Sequence, residues 1–302
     1  MSLLARLDPI AHAVRRARAS TRASAGLSRR SLTLPDGREI VYLDGSRDEL
    51  ESRPPALFIH GIGASKDHWP PLAKPLAERL RVIAPDLPGF GESDRSPEGD
   101  YSMAAQGETV IAIADALGLD RFHLVGQSMG GRVVAETAAR HAGRLFSLWM
   151  IAPAGAMGEE QSEMIEGLLA GEGIPLFGRT PEEYMETVAF TMSRPPRIPS
   201  LALRVLAAEN AADYDLNREI FARMSTGFAV GPSTEDLLDG VDVPTLITWG
   251  EEDRVLHPSG AGSIAARMPR ATVHHMPETG HIPMFEAPGD AAARYLEFLD
   301  AL

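Results

Sequence analysis

The chain of 302 residues is 44% hydrophobic and 24% charged, enough to bury the core of one large α/β domain carrying an insertion, and no linker divides it in two. Its formal net charge of −13 argues against a nucleic-acid partner, because phosphate binding needs a basic surface. Without cysteine it has no disulfide framework, thiol nucleophile or thiolate metal site, and no apolar run approaches the ~20 residues that cross a bilayer.

Residues 1–30 run against that charge. Arg6, Arg15, Arg16, Arg18, Arg22, Arg29 and Arg30 face Asp8 alone, a net +6 that leaves −19 for the remainder. Leu3, Leu7, Ile10 and Val14 recur at helical spacing with arginines on the other faces. Two readings follow: an arm lying on anionic lipid, drawn by charge and a thin apolar stripe, or a solvated, loosely docked arm. The apolar core of a signal peptide is missing, so the expected location is cytoplasmic, at most peripheral to a membrane.

Beyond the arm, 31–34 and 38–43 flank Pro35-Asp36-Gly37 and read as a hairpin, followed by a polar loop over 44–53. The unbroken apolar run at 56–59 suits a strand buried on both faces and ends in His60-Gly61-Ile62-Gly63. A helix is predicted at 69–80 and a strand at 81–84; the stretch 85–93 is too rich in breakers to be either. Residues 103–117 read as a helix stopped by Gly118. A short strand at 122–125 then runs into Gly126-Gln127-Ser128-Met129-Gly130, and 132–141 reads as a helix, so Ser128 falls on a strand-to-helix turn.

Further strands are expected at 145–151, 245–249 and 271–276, with helices at 259–268 and 287–302. Strands alternating with helices over this length imply a doubly wound, mostly parallel sheet that binds ligands at the carboxyl ends of its strands. Between 154 and 240 the alternation stops and only helical segments appear, at 160–169, 181–192, 200–212 and 217–224. The expected organisation is therefore a basic arm (1–30), an α/β core (31–153 and 241–302) and an inserted helical cap (154–240). Methionines and aromatics in the cap, among them Met164, Met192, Phe177 and Phe221, suit plain core or a pliable acyl-binding wall.

The turn at Ser128 has the form of a nucleophile elbow. Gly126 and Gly130 let the chain pass without a Cβ clash, and the N–H of Met129 can face a developing oxyanion. A serine hydroxyl needs a base, itself oriented by a carboxylate. Downstream of Ser128 the histidines are His141 at the end of the elbow helix, His257 before a helix, His274 and His275 inside a strand, and His281 on a loop past the last strand. His281 is the expected base. The loop after 245–249 offers Glu251, Glu252 and Asp253, of which Asp253 is favoured as the acid, the glutamates reading as solvated. The second oxyanion donor is expected at Ile62, and His60 reads as a structural hydrogen-bonding residue. Glycine-rich phosphate loops and clustered metal ligands are absent, so no cofactor and no metal is expected.

Taken as a set, His60-Gly61-Ile62-Gly63, Asp86-Leu87-Pro88-Gly89-Phe90-Gly91-Glu92-Ser93, Gly126-Gln127-Ser128-Met129-Gly130-Gly131, Gly250-Glu251-Glu252-Asp253 and Gly280-His281 resemble the α/β-hydrolase superfamily over residues 31–302. Serine at the elbow, where its dehalogenases and epoxide hydrolases carry aspartate, implies neither of those chemistries. Ala152-Pro153-Ala154-Gly155, Thr180-Pro181-Glu182-Glu183 and the run Trp249 to Leu256 are similar to monoacylglycerol lipases and bacterial lipases of that type. The resemblance implies a serine esterase that cleaves monoacylglycerols or medium-chain acyl esters through an acyl-enzyme. Meta-cleavage hydrolases, which cut carbon–carbon bonds in dienoic acids, share Ser-Met-Gly-Gly and give a second implied activity; Arg132, Arg179, Arg194 and Arg197 are candidate anchors for such a carboxylate. Some members of the superfamily only bind ligands. Oligomeric state is not legible.

Overall fold

Short apolar runs with no polar break become adjacent parallel strands, because only a strand covered by helices on both faces can bury every side chain. The computed structural model describes residues 9–302 other than 97 and 174; Leu3, Arg6, Leu7 and Asp8 of the arm lie outside the described residues. Strands β3 (Ala56–Ile59), β4 (Val82–Pro85), β5 (Phe122–Gln127), β6 (Leu145–Ile151), β7 (Thr245–Gly250) and β8 (Ala271–Met276) are parallel. The hairpin β1 (Ser28–Thr33) and β2 (Glu39–Asp44) adds two antiparallel strands at one edge, in the order β1-β2-β4-β3-β5-β6-β7-β8. Chain order reverses around β3, whose carboxyl end therefore opens onto a crevice between connections leaving in opposite directions.

The alternation of strand side chains splits the core into two layers. Leu57, Ile59 and Leu124 point to the face covered by α3 (Met103–Ala116) and α4 (Met129–His141). Ala56, Phe58 and Val125 point to the face covered by α2 (Pro70–Leu76) and the closing helix α11 (Pro288–Asp300). There Phe58 meets Trp69 edge-on at 5.1 Å and Trp149 stacks on Tyr295 at 4.2 Å.

Among the described residues, the segment between β6 and β7 holds four helices: α5 (Glu163–Leu169), α6 (Pro181–Thr191), α7 (Ser200–Val230) and α8 (Thr234–Leu237). Thr180 caps α6, its hydroxyl accepting from Glu183 N at 3.2 Å, with Pro181 following. Helix α5 begins three residues later than the pattern suggests, because Ser162 is its cap and accepts from Ile165 N. The two helices expected at 200–212 and 217–224 are one continuous helix. Asp213-Tyr214-Asp215-Leu216 contains no true breaker, and the two aspartates are held outward by Arg95 and Arg179. Phe177, Ile220, Phe221 and Met224 carry this segment into the main core, while Met157 and Leu169 stay 72% and 74% exposed and form no part of a wall.

The arm forms α1 (Pro9–Ser24), which lies against α7 through Arg18–Glu209 at 2.9 Å and against the loop after β3 through a two-pronged Arg22–Asp67 pair at 2.5 Å. The arm is thus docked, and two of its arginines are committed inward. Arg29 pairs with Glu92 and Arg30 with Asp44.

Near the amino end of β5, His123 is 9% exposed and its Nδ1 lies 2.8 Å from Ser147 Oγ; burial lowers its pKa to about 4. The unfolded chain therefore takes up a proton that the native one refuses, and stability falls as pH drops from about 6.5 to about 4, then levels. Between pH 7 and pH 5 this amounts to about 1–2 kcal/mol. Urea unfolding of wild type and His123→Gln at the two pH values should show a shallower loss in the variant; identical losses would contradict the buried neutral imidazole.

Candidate active site

Ser128 sits between β5 and α4 with φ 55° and ψ −120°, a left-handed conformation costing a non-glycine residue about 1–3 kcal/mol. Hydrogen bonds on both sides hold it there: Ser128 N donates to Ile151 O at 3.0 Å, and its carbonyl accepts from Arg132 N at 3.1 Å and Ala154 N at 2.9 Å. Glycine is required at two neighbours. A Cβ at Gly126 would lie 2.3 Å from the Gly130 carbonyl oxygen, and one at Gly130 would lie 2.1 Å from that of Ile59. Strand and helix can cross at this distance only without side chains, which brings the amino end of α4 against the end of β3.

The loop leaving β3 lies on the elbow. A Cβ on Gly61 would fall 3.2 Å from that of Ser128, so the loop that carries Ile62 lies against the elbow that carries Met129, the two residues expected to supply oxyanion donors. His60 Nε2 accepts from Leu87 N at 3.1 Å, which leaves the proton on Nδ1, 2.8 Å from the Gly61 carbonyl. Burial lowers its pKa and keeps it neutral. His60 thus ties the loops after β3 and β4 together, as a structural residue would. Lys66, which sequence reasoning passed over, does the same with charge. Its Nζ lies 2.6 Å from Asp86 and 2.8 Å from Glu92, while its backbone N–H donates to Asp86 at 2.7 Å. Burial alone would raise the Glu92 carboxyl, but Arg29 and Lys66 outweigh it and hold it at about 2.

Asp253 and His281 come together from the loops after β7 and β8. Asp253 Oδ2 lies 2.8 Å from His281 Nδ1, and both residues are buried. Oδ1 accepts from Val255 N at 2.8 Å and Leu256 N at 3.0 Å, and Oδ2 also accepts from the Trp249 indole at 3.1 Å. The short aspartate side chain fits this nest; Glu251 and Glu252 are exposed outside it. With a carboxylate accepting at Nδ1–H, the imidazole presents Nε2 as its free base. Gln127, next to the serine, donates from Nε2 to the His281 carbonyl at 3.0 Å and fastens the histidine loop to the elbow.

The other histidines are elsewhere. His141 contacts Glu108 at 3.1 Å, His257 contacts Ser259 at 2.9 Å, and His274 and His275 lie within β8. Of the arginines considered as anchors, Arg132 is buried against Glu136, Thr234 and the Pro232 carbonyl. Arg179 pairs with Asp215, Arg194 pairs with Glu278, and Arg197 is exposed.

Above the site, Phe177 would meet a Cβ on Gly63 at 3.4 Å, and Ile220 would meet one on Gly89 at 2.9 Å. The helical insertion therefore rests on the very loops that surround Ser128.

Residues 54–288 match the family model for the alpha/beta hydrolase fold. The chain belongs to the α/β-hydrolase family. Within it, lipase 3 of Moraxella sp. (strain TA144) is 33% identical over 282 residues, covering 93% of this chain and 87% of the relative. The human monoacylglycerol lipase ABHD6 is 30% identical over 255 residues, covering 82% and 75%. Among solved structures, a membrane phospholipase A described as a bacterial virulence factor superposes with a TM-score of 0.92 at 37% identity, covering 98% of this chain and 93% of that one.

Proposed function

We propose that this α/β-hydrolase cleaves medium-chain acyl esters and monoacylglycerols, with Ser128 as nucleophile, His281 as general base, Asp253 as its orienting acid, and the N–H groups of Met129 and Ile62 as the oxyanion hole. Carboxylic ester hydrolysis is the chemistry of its lipase relatives. The observation that carries the residue roles is the 2.8 Å bond between Asp253 and His281 beside a strained serine.

The hydroxyl proton of Ser128 passes to His281 Nε2 as Oγ attacks the ester carbonyl. Negative charge collects on the former carbonyl oxygen, where two fixed backbone donors need no reorganisation to meet it. Collapse expels the alcohol, which takes the proton from His281. Water, deprotonated by the same imidazole, then releases the acid from Ser128. The core, residues 31–153 and 241–302, supplies these groups; the cap, 154–240, supplies the acyl wall.

Phe177, Ile220, Phe221 and Met224 anchor the cap in the core, and the acyl wall is proposed on the segment they hold over the site. Each methylene buried there in the transition state contributes about 0.8 kcal/mol, roughly fourfold in kcat/KM. The membrane side of the proposal rests on the arm. Arg16 stays exposed on α1 while Arg18 and Arg22 face inward, and among the described residues no helix is long and apolar enough to cross a membrane. The proposed contact with anionic lipid runs through the exposed Arg16 and the half-exposed Arg15 of α1.

One assay series tests both. We expect kcat/KM to rise from acetyl to medium-chain esters, with a monoacylglycerol far above a meta-cleavage dienoate; the dienoate as best substrate would replace this reading with carbon–carbon hydrolysis, and no turnover of any ester would favour a ligand-binding role. Presented in anionic vesicles at low salt, the monoacylglycerol should be cut faster than in zwitterionic ones, and Arg15→Glu/Arg16→Glu should abolish the difference. Equal rates for wild type on both surfaces would remove the arm as an anchor.

A further inference from the structure

Two cap residues after α6, Ser193 and Arg194, are held by one carboxylate that the mechanism does not use. Glu286 closes the short helix α10 (Pro283–Glu286) and is half-buried. Its Oε1 accepts from Gly280 N at 2.9 Å, and its Oε2 accepts from Ser193 N at 2.7 Å and Arg194 N at 3.2 Å. Gly280 precedes His281, and His281 N itself donates to the Thr191 carbonyl at 2.8 Å. The end of α6 and the histidine loop thus run side by side with Glu286 bonded to both. They are packed so closely that a Cβ on Gly280 would lie 2.8 Å from Ser193 N and from Thr191 O. The same cap segment reaches the loops around it through Ser193 Oγ to Glu252 and through Arg194 to Glu278.

We infer that Glu286 is a positioning residue: it clamps the cap segment 191–194 onto Gly280 and thereby sets where the His281 imidazole stands relative to Ser128. The inference rests on the triad proposed above. A carboxylate is suited to this place because every donor around it is a backbone N–H, and it has no hydrogen to offer. Burial raises its pKa, against the pull of the Arg194, Gly280 and Ser193 N–H groups. An amide of the same shape cannot replace it. Glutamine has one accepting oxygen and one NH2 group, so whichever way it turns, a donor faces a donor either at Gly280 or at Ser193 and Arg194. One side of the clamp must open. The histidine backbone, held between Thr191 and Gln127, then loses one of its two supports. A displacement of about 1 Å at a catalytic group can cost on the order of 100-fold in rate.

A staple that only stabilised the fold would lower the melting temperature and leave kcat alone. The test is therefore a double-mutant cycle on a soluble acetyl ester. Glu286→Gln should lower kcat about 10- to 100-fold with KM changed less than about threefold. In an Asp253→Asn background, where the histidine is already misoriented, the same substitution should cost less than about threefold. An equal cost in both backgrounds, or a lowered melting temperature with kcat intact, overturns the clamp. The triad and the clamp fail differently: full activity of Asp253→Asn removes the triad reading and the clamp with it, whereas a damaged Asp253→Asn beside a fully active Glu286→Gln removes the clamp alone.

Discussion

Replacing Ser128 with alanine is expected to lower kcat on any carboxylic ester by about 10⁴- to 10⁶-fold while leaving the protein folded, the range seen when a serine triad loses its nucleophile. The loss is that large because, in the proposed mechanism, the acyl-enzyme forms on the Ser128 hydroxyl. Alanine deletes one oxygen and adds no bulk, and the backbone bonds that hold the elbow run through Ser128 N and O, not through Oγ. The left-handed backbone remains strained in the variant as in the wild type, so unfolding curves should nearly coincide. Retained turnover in a folded variant would show that the nucleophile lies elsewhere.

Asp253→Asn is expected to cost about 10⁴-fold in kcat, comparable to the loss of triad orientation in other serine enzymes. The hydrogen-bond pattern gives the reason. Oδ1 faces the N–H groups of Val255 and Leu256, so the amide oxygen of asparagine must take that place. Its NH2 group then faces Trp249 Nε1–H and His281 Nδ1, where Oδ2 used to accept from both. His281 can relieve the donor–donor contact only by moving its proton to Nε2, the atom that receives the serine proton in the proposed mechanism. Glu251→Gln and Glu252→Gln should change kcat by only a few-fold, since both glutamates are exposed; an amide oxygen at 252 can still accept from Ser193. Steady-state kinetics on the three variants rank them, and a glutamine variant worse than Asp253→Asn would move the acid.

Much of this was legible in the sequence because it lies in the backbone's own constraints. An unbroken apolar run such as 56–59 has no stable place except a doubly covered strand, and glycines flanking a serine after such a run mark a crossing too close for side chains. His281 is reached by elimination, since the competing histidines fall at a helix end, before a helix or inside a strand, and the structure brings it to Asp253. What stayed hidden depends on contacts between distant segments. The helix at 69–80 is shorter than its periodicity suggests, α2 ending at Leu76 with Pro75 inside it. The long α7 was read as two helices because its aspartates mimic a break, and only Arg95 and Arg179 reveal why they do not make one. Lys66 looks like any surface lysine until Asp86 and Glu92 close on it. Thr191 acts through a backbone carbonyl, which no side chain announces, and Glu286 reads as an ordinary acid near the start of a helix. The basic arm, legible as charge, gave no sign that Arg18 and Arg22 turn inward.

The most direct test of the account is the site of covalent capture by an alkyl fluorophosphonate, which arrests a serine hydrolase at the stage of the tetrahedral adduct. Peptide mass spectrometry of the inhibited protein should place one phosphonate on the peptide containing Ser128, with residual ester hydrolysis falling in proportion to its occupancy and no adduct on Ser128→Ala. Hydrolysis that survives full labelling of Ser128, or is lost while the adduct sits on another residue, would contradict it.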